Sequence, residues 1–214
     1  MNPYLPGPVP PDGSGVRPIW PLAGPAVAGS LGAFLLTVAV GTEWTAIQRD
    51  MGLSTSVLGG ILLAYLLPAV LALPVGVLLG GRWPTAVALP AGAVLVLGSL
   101  VTAFAPGGGP LLVGRAVTGF GAGLAWGVAA ALVVGMGTRR VGAAAVVGGL
   151  VLAGLVAGPV VGAVLAEAAS WRVPFMLAVP VGAVAFVSSL VSGIVAGNRR
   201  APQPTGGTPA GPWG

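Results

Sequence analysis

Six long apolar stretches dominate the chain and constrain its fold more than any other feature. They lie at about 22–42, 54–79, 85–105, 111–135, 142–166 and 174–197, and Arg115 is the only charged residue inside them. About twenty apolar residues suffice for a helix to cross the hydrocarbon core of a bilayer. A soluble helical bundle would instead need a polar face on each helix, and none of the six stretches has one. The sequence therefore predicts an all-α polytopic membrane protein with six transmembrane helices that contact the lipid bilayer.

The arginines are unevenly shared between the loops. If the loops alternate between the two sides of the membrane, one side receives Arg17, Arg82, Arg139, Arg140, Arg199 and Arg200, and the other receives Arg49 and Arg172. Cytoplasmic loops carry the excess of basic residues. This predicts a multi-pass protein of the cell (plasma) membrane with both termini in the cytoplasm. The Pro- and Gly-rich ends, 1–21 and 199–214, are predicted to be disordered tails around a transmembrane domain at 22–198.

Composition argues against several kinds of function. The 214 residues include no Cys and no His, only four acidic residues, and nine basic residues that are all Arg. The lack of Cys and His removes disulfides, thiol chemistry and the usual zinc or haem ligands, so we predict neither a metal site nor a cofactor. So few acids, bases and nucleophiles argue against an enzyme. The net charge is +5, but the arginines are scattered among short loops, so we predict no nucleic-acid partner.

Arg115 stands inside the fourth apolar stretch. An Arg near the centre of a bilayer costs about 2.5–3.5 kcal/mol to insert, so its side chain should face protein or a water-filled cavity. The alternative is that the side chain snorkels to the nearby headgroups. Gly119 and Gly123 follow Arg115 at one-turn intervals, share its helix face and would let a neighbouring helix approach closely.

The fifth stretch carries a second pattern of small residues. Gly154, Gly158 and Gly162 recur every four residues and Pro159 follows the second of them, which gives G-x-x-x-G-P-x-x-G. The glycines form a flat groove, while the proline removes one backbone hydrogen bond and bends the helix. Ordinary small-residue helix packing in a Gly-rich chain is the alternative interpretation.

These patterns occur in the order found in a known family. The segment 111–123 resembles the fourth-helix motif of the major facilitator superfamily, and 154–162 resembles its fifth-helix antiporter motif. The sequences at 170–175 and 47–54 are similar to segments before the sixth and after the first helix of multidrug/proton antiporters. The resemblance covers about 22–197 and corresponds to the N-terminal six-helix half. It implies one half of a major facilitator fold, a 3+3 repeat with helices 1, 2, 4 and 5 around the central path.

The chain departs from the family pattern at two acidic positions. Gly76 fits the start of the motif between the second and third helices, but Gly80 stands where the family carries an Asp, and Arg82 supplies the only charge there. Leu36 occupies the place where some antiporters carry an intramembrane Asp. Glu43, near the outer end of the first stretch, is the nearest substitute, and a solvated loop acid is the alternative interpretation.

Two sets of candidate residues follow from the residues and the resemblance together. The candidates for a substrate or proton pathway are Arg115, Glu43, Thr37, Gln48, Tyr65, Thr118 and Trp126. The candidates for helix packing and gating are Gly76, Arg82, Gly119, Gly123, Gly154, Gly158, Pro159 and Gly162. The alternative for each polar or aromatic candidate is a packed or interfacial side chain. Glu167 is interpreted as an outer-loop charge that pairs with Arg172.

Two functions remain open. The resemblance implies a transporter that exports small organic molecules or drugs, with proton coupling through Arg115 and Glu43. Because six spans give half of a pathway, such a transporter would need a partner, either a second copy in a homodimer or a separate six-helix half. The alternative is a non-transporting membrane subunit or truncated relic that retains the fold, which the missing acids at Gly80 and Leu36 favour.

Overall fold

The computed structural model describes residues 19–38 and 42–200, and no strand occurs among them. A short 3₁₀ turn at Trp20–Leu22 leads into the first helix, and another at Gly137–Arg139 precedes the sixth. The α-helices are α1 (Ala23–Thr37), α2 (Thr42–Met51), α3 (Thr55–Gly80), α4 (Pro84–Ala103), α5 (Gly108–Val134), α6 (Arg140–Ala168), α7 (Val173–Met176) and α8 (Ala178–Arg200).

Six helical segments of the described residues are long and apolar enough to cross a membrane. They are Trp20–Thr37, Gly59–Gly80, Pro84–Ala103, Gly108–Val134, Gly137–Ala168 and Val173–Val195. Each coincides with one of the six apolar stretches of the sequence. The predicted fold class, an all-α polytopic protein with six spans, is confirmed. The described helices begin at Trp20 and end at Arg200, and the rest of the two predicted tails lies outside the described residues.

Two spans differ from the sequence-based prediction. The first was predicted to reach residue 42, but α1 ends at Thr37, and the polar run Thr42–Met51 forms the separate helix α2. The sixth is divided at Leu177 into α7 and α8. Pro180 explains this break, because it has no N–H to donate to the carbonyl of Met176 and its ring crowds that carbonyl.

The packing of the helices follows a two-fold pattern. The most extensive contacts join α3 to α5 and α4 to α5, and the contacts of α1 with α6 and with α8 are also extensive. If α5, α6 and α8 repeat α1, α3 and α4, the α3–α5 contact corresponds to α6–α1, and α4–α5 corresponds to α8–α1. The pairings therefore agree with the 3+3 repeat. They make α1 and α5 the two central helices.

Glycines allow α5 to pack closely on two sides. A Cβ added at Gly119 or Gly123 would lie 2.8 Å from the carbonyl carbon of Tyr65 or Ala69, both on α3. On the side that faces α4, a Cβ at Gly121 would lie 2.6 Å from the backbone nitrogen of Leu95. No side chain fits at such distances. The backbones of α3, α5 and α4 can therefore pack together only because these positions are glycine.

Candidate functional site

Arg115 is buried in protein at the end of the bundle where α1 finishes. Its side chain is 1% exposed, so it does not reach a headgroup layer. Its guanidinium donates from Nη1 to the carbonyl of Leu35 at 2.6 Å and from Nη2 to the carbonyl of Leu36 at 3.4 Å. Both acceptors belong to the last turn of α1. Arg115 therefore caps the C-terminus of α1 from a neighbouring helix.

The chemistry of a helix end explains this position. The last four carbonyls of a helix have no partner within it, and the C-terminal end carries a partial negative charge. A buried guanidinium satisfies both requirements, because it brings a full positive charge and several donors in a planar fork.

Two aromatic rings lie close to the guanidinium. Its Cζ lies 5.1 Å from the ring centroid of Tyr65 and 5.4 Å from that of Phe175, within the range of cation–π attraction. The Tyr65 hydroxyl donates to the carbonyl of Gly32 at 2.6 Å, which ties α3 to α1. Phe175 belongs to α7 and was not a candidate from the sequence. The Arg115 pocket therefore joins residues of α1, α3, α5 and α7.

Thr37 lies where α1 meets α6 one turn before Pro159. Its hydroxyl donates to the carbonyl of Leu155 at 3.0 Å. Pro159 lies four residues after Leu155 and has no N–H, so the helix itself cannot supply the usual donor to that carbonyl. Thr37 supplies a donor in its place. Gly158 faces the same hydroxyl, and a Cβ there would lie 2.8 Å from the carbonyl oxygen of Phe34.

An open apolar groove of about 560 Å³ runs between α1, α5 and α6. Its lining residues are apolar or glycine: Gly29, Leu36, Trp126, Ala129, Ala130, Val133, Val134, Ala144, Val147, Gly148, Val151 and Leu155. The Trp126 indole donates to the carbonyl of Gly29 at 2.8 Å. This bond uses the one side-chain N–H of the lining and leaves the ring as an apolar wall. Of the pathway candidates, only Trp126 lines this groove.

The other pathway candidates are dispersed. Thr118 is buried, and its hydroxyl donates to the carbonyl of Gly114 in its own helix at 2.7 Å. Gln48 is half-buried on α2. Glu43 also lies on α2, but its side chain is outside the described residues. Arg115, Tyr65 and Thr37 are thus grouped near the end of α1, while Thr118, Gln48 and Trp126 lie apart from them.

The candidates for helix packing lie mostly at helix contacts. Gly76 faces Leu124 and Gly127 of α5, and Gly154 faces Ser30 of α1. Gly162 is buried, Pro159 is half-buried, and Arg82 is exposed between α3 and α4. Whether any of these positions acts in gating stays a prediction.

A cluster around Asp50 of α2 was not predicted from the sequence. Asp50 of α2 accepts a hydrogen bond from Arg172 Nη1 at 2.8 Å and from Trp171 Nε1 at 3.0 Å. The predicted partner of Arg172 was Glu167, and that pairing is wrong: Glu167 is exposed at the end of α6, whereas α2 brings Asp50 to the guanidinium. The hydrogen bond from Trp171 and then that from Arg172 lower the pKa of the Asp50 carboxyl.

The comparisons with known proteins agree with this architecture. The chain matches the family described as the Major Facilitator Superfamily over residues 22–213. A search of curated proteins finds no match. The family match spans nearly the whole chain and includes all six candidate spans. With its six helices and its two-fold pattern of packing, the chain belongs to the major facilitator superfamily, whose members are membrane transporters.

Proposed function

We propose that the chain exports small apolar organic molecules and that the groove between α1, α5 and α6 is its part of the pathway. The observation that carries this proposal is the groove itself. Its volume, about 560 Å³, lies within the range of about 300–1,000 Å³ that is usual for ligand sites. Its three helices are the first, fourth and fifth spans, which the family resemblance assigns to the central path. An apolar lining favours an uncharged molecule over an organic cation, because a buried charge without a partner is costly.

The proposal includes a second six-helix half. The groove is walled by three helices and open on its remaining side, so a bound molecule would be only partly enclosed. Family transporters bind substrate between two six-helix halves that rock against each other. A second half, either another copy of this chain or a different six-helix unit, would close the open side.

Proton coupling, as a further part of the proposal, is assigned to Glu43. A guanidinium does not release its proton in proteins, so Arg115 cannot carry one. Glu43 is the only pathway candidate whose side chain ordinarily titrates below neutral pH. In proteoliposomes with a transmembrane pH gradient, Glu43→Gln should abolish the dependence of transport on the gradient. Glu167→Gln, which removes another acid predicted for the same side of the membrane, should leave the dependence unchanged. Equal behaviour of the two variants would remove Glu43 from the mechanism.

The groove is tested by filling it. Gly148 lines the groove, Gly149 does not, and a Cβ added at either residue meets no atom within 4 Å. Gly148→Leu should therefore fill the groove without a clash, and Gly149→Leu is its matched control. Binding of the uncharged dye N-phenyl-1-naphthylamine to the protein in nanodiscs should weaken at least about tenfold in Gly148→Leu. The leucine side chain would displace apolar contact between dye and groove that is worth about 1.4 kcal/mol or more.

The outcomes separate the two functions left open by the sequence. Weaker binding in Gly148→Leu alone, together with dye export from proteoliposomes, supports the transporter. Equal binding in the two variants would show that the groove is not the site. If proteoliposomes that contain the chain together with its second six-helix half export no dye, the non-transporting subunit would be favoured.

A further inference from the structure

Helix α2 lies at one end of the bundle and is attached there by buried apolar and charged contacts. Ile47 is 1% exposed and belongs to the same buried apolar cluster as Val38, Leu111 and Phe175. The charged residues Arg49 and Asp50 lie on exposed positions of the same helix. α2 therefore presents an apolar side to the bundle and a charged side to solvent. We call α2 (Thr42–Met51) the strap, and the end of the bundle that it covers the strap end.

Asp50, Trp171 and Arg172, which we call the clasp, attach the strap to the connection between α6 and α7. Asp50 accepts one bond from each of the other two residues, at 3.0 and 2.8 Å. The Arg172 guanidinium also lies over the Trp171 ring, 4.3 Å from its centroid, and its Nη2 reaches the carbonyl of Ala105 at 3.5 Å. The clasp thus connects α2 with the α6–α7 and α4–α5 loops at the strap end.

The clasp is in contact with the Arg115 pocket through one aromatic ring. Trp171 is 4% exposed, and its ring meets Phe175 edge to face, with centroids 6.3 Å apart and planes at 77°. The Phe175 ring centroid also lies 5.4 Å from Cζ of the Arg115 guanidinium. Asp50, Trp171, Phe175 and Arg115 therefore form a continuous series of contacts from the surface to the buried cation.

We propose that the strap is a closing element: the clasp holds it over the strap end, and its release admits water to the Arg115 pocket. While the pocket is dry, the bonds from the guanidinium to the end of α1 are strengthened by the low local dielectric. Water that enters would compete for both the guanidinium and the carbonyls. The strap thereby controls how firmly the end of α1 is held, whatever molecule the protein moves.

The clasp is suited to opening because its ion pair is only moderately strong. The side chains of Asp50 and Arg172 are 48% and 32% exposed, and ion pairs of such exposure contribute little to stability. Two residues after Asp50, Gly52 has a φ of 62°, a left-handed conformation that ends the helix and that glycine adopts without strain.

The test uses the absence of cysteine from the chain, because one introduced thiol is then the only thiol. Leu111 is 1% exposed and lies one helical turn before Arg115 on α5, so Leu111→Cys reports water entry at the strap end. In the purified full chain in mild detergent, adding Asp50→Asn should accelerate labelling of Leu111→Cys by a maleimide about three- to tenfold. Arg49→Gln removes a neighbouring charge of the strap and should leave the rate unchanged.

A second reporter and a second variant distinguish local opening from general loosening. Ala129→Cys lies at the far end of α5 and is 2% exposed, so its labelling should stay slow in Asp50→Asn. Arg172→Gln removes the other partner of the clasp ion pair. It should likewise accelerate labelling of Leu111→Cys but not of Ala129→Cys. Unchanged labelling in both clasp variants would overturn the proposal. Equal acceleration at both reporters would overturn it too, because the bundle as a whole would then have loosened.

Discussion

At the scale of single residues, Thr37 shows how a proline in a membrane helix can be accommodated. Replacing Thr37 by Val keeps the shape but removes the donor to the Leu155 carbonyl, which cannot find a donor at Pro159. We expect the free energy of unfolding in detergent to fall by about 0.6–1.7 kcal/mol, the range measured for hydrogen bonds between membrane helices. Thermal or denaturant unfolding of the purified protein measures this change.

A double-mutant cycle with Pro159→Ala isolates the cause. An alanine at 159 restores an N–H that can reach the Leu155 carbonyl within α6, so Thr37→Val should cost less in that background than in the wild type. Equal costs in both backgrounds would mean that Thr37 stabilises the helix pair in another way.

The hydrogen bonds of Arg115 are also open to a residue-scale test. Arg115→Met removes the charged donors from the carbonyls of Leu35 and Leu36, and we expect the free energy of unfolding to fall by about 1.5–3 kcal/mol. Arg115→Lys keeps the charge but not the planar fork, so its loss should be smaller. Hydrogen exchange in the last turn of α1 should accelerate in the same order. If Arg115→Met is instead more stable than the wild type, the desolvation cost of the buried guanidinium exceeds the stabilisation from its hydrogen bonds.

The sequence identified the important residue types in this region but not their partners. An Arg within an apolar stretch and a Gly-Pro pair within another predict buried polar contacts and a bend. The acceptors of Arg115 and Thr37 are backbone carbonyls, and every residue carries one, so no residue type marks them. The partners also lie about 80 and 118 positions away in the chain, and only the packing of α1 determines which carbonyls are near.

At the scale of helices, glycines at close helix contacts, such as Gly123 of α5, differ from glycines in open space, such as Gly149 of α6. Gly123→Ala would place a Cβ 2.8 Å from the Ala69 carbonyl carbon and force α3 and α5 apart, at a cost of about 1–3 kcal/mol. Gly149→Ala meets no atom within 4 Å and should be neutral, or stabilising by up to about 1 kcal/mol through helix propensity. Unfolding of both variants in the same detergent measures the contrast. Equal effects would contradict the close packing of α3 on α5.

The strap should respond to acid through Asp50. The Trp171 hydrogen bond, and then Arg172, lower the pKa of the Asp50 carboxyl below its ordinary value. These are the two groups that face it, while the exposed Arg49 is its neighbour on the strap. A lowered folded-state pKa contributes stability that is fully present above the unfolded value and is lost as the pH falls through the folded value. The unfolding temperature of the wild type should therefore exceed that of Asp50→Asn at neutral pH. The difference should begin to shrink at about pH 4 and vanish once the pH is below the lowered folded-state pKa.

The comparison of the two proteins removes the effects of the other acids, which titrate in both. A difference that persists unchanged to about pH 3 would show that the carboxylate is not what stabilises the clasp.

The spans themselves were predictable, whereas their breaks were only partly so. Hydropathy measures the length of an apolar run, and all six runs are helical in the structure. Hydropathy does not predict where a helix ends or breaks within such a run. The end of α1 at Thr37 and the break at Leu177 depend on the cap from Arg115 and on Pro180. The first is a tertiary contact, and the second is a proline signal that resembles those tolerated within α3 and α4.

At the scale of the whole molecule, the exposure of α6 indicates where a second half would bind. Only 11% of its spanning segment is buried, compared with 56% for α5. α6 packs mainly against α1, and the apolar groove opens along one of its sides. The membrane could cover this surface with lipid, but a pathway between two halves requires that the groove side meet protein.

Single cysteines distinguish these arrangements, again because the chain has no thiol of its own. If a second copy supplies the second half, Ala144→Cys and Gly148→Cys, which both line the groove, should be joined between copies by a short bis-maleimide in membranes. Val187→Cys, which is 56% exposed on α8, should remain monomeric under the same conditions. Cross-linking through α8 alone would put the second copy on the wrong side of the bundle, where the groove stays open to lipid. If neither helix cross-links between copies, the partner that the proposed pathway needs would be a different six-helix chain. The Ala144→Cys variant, cross-linked in membranes through its groove-lining thiol, should then capture that chain.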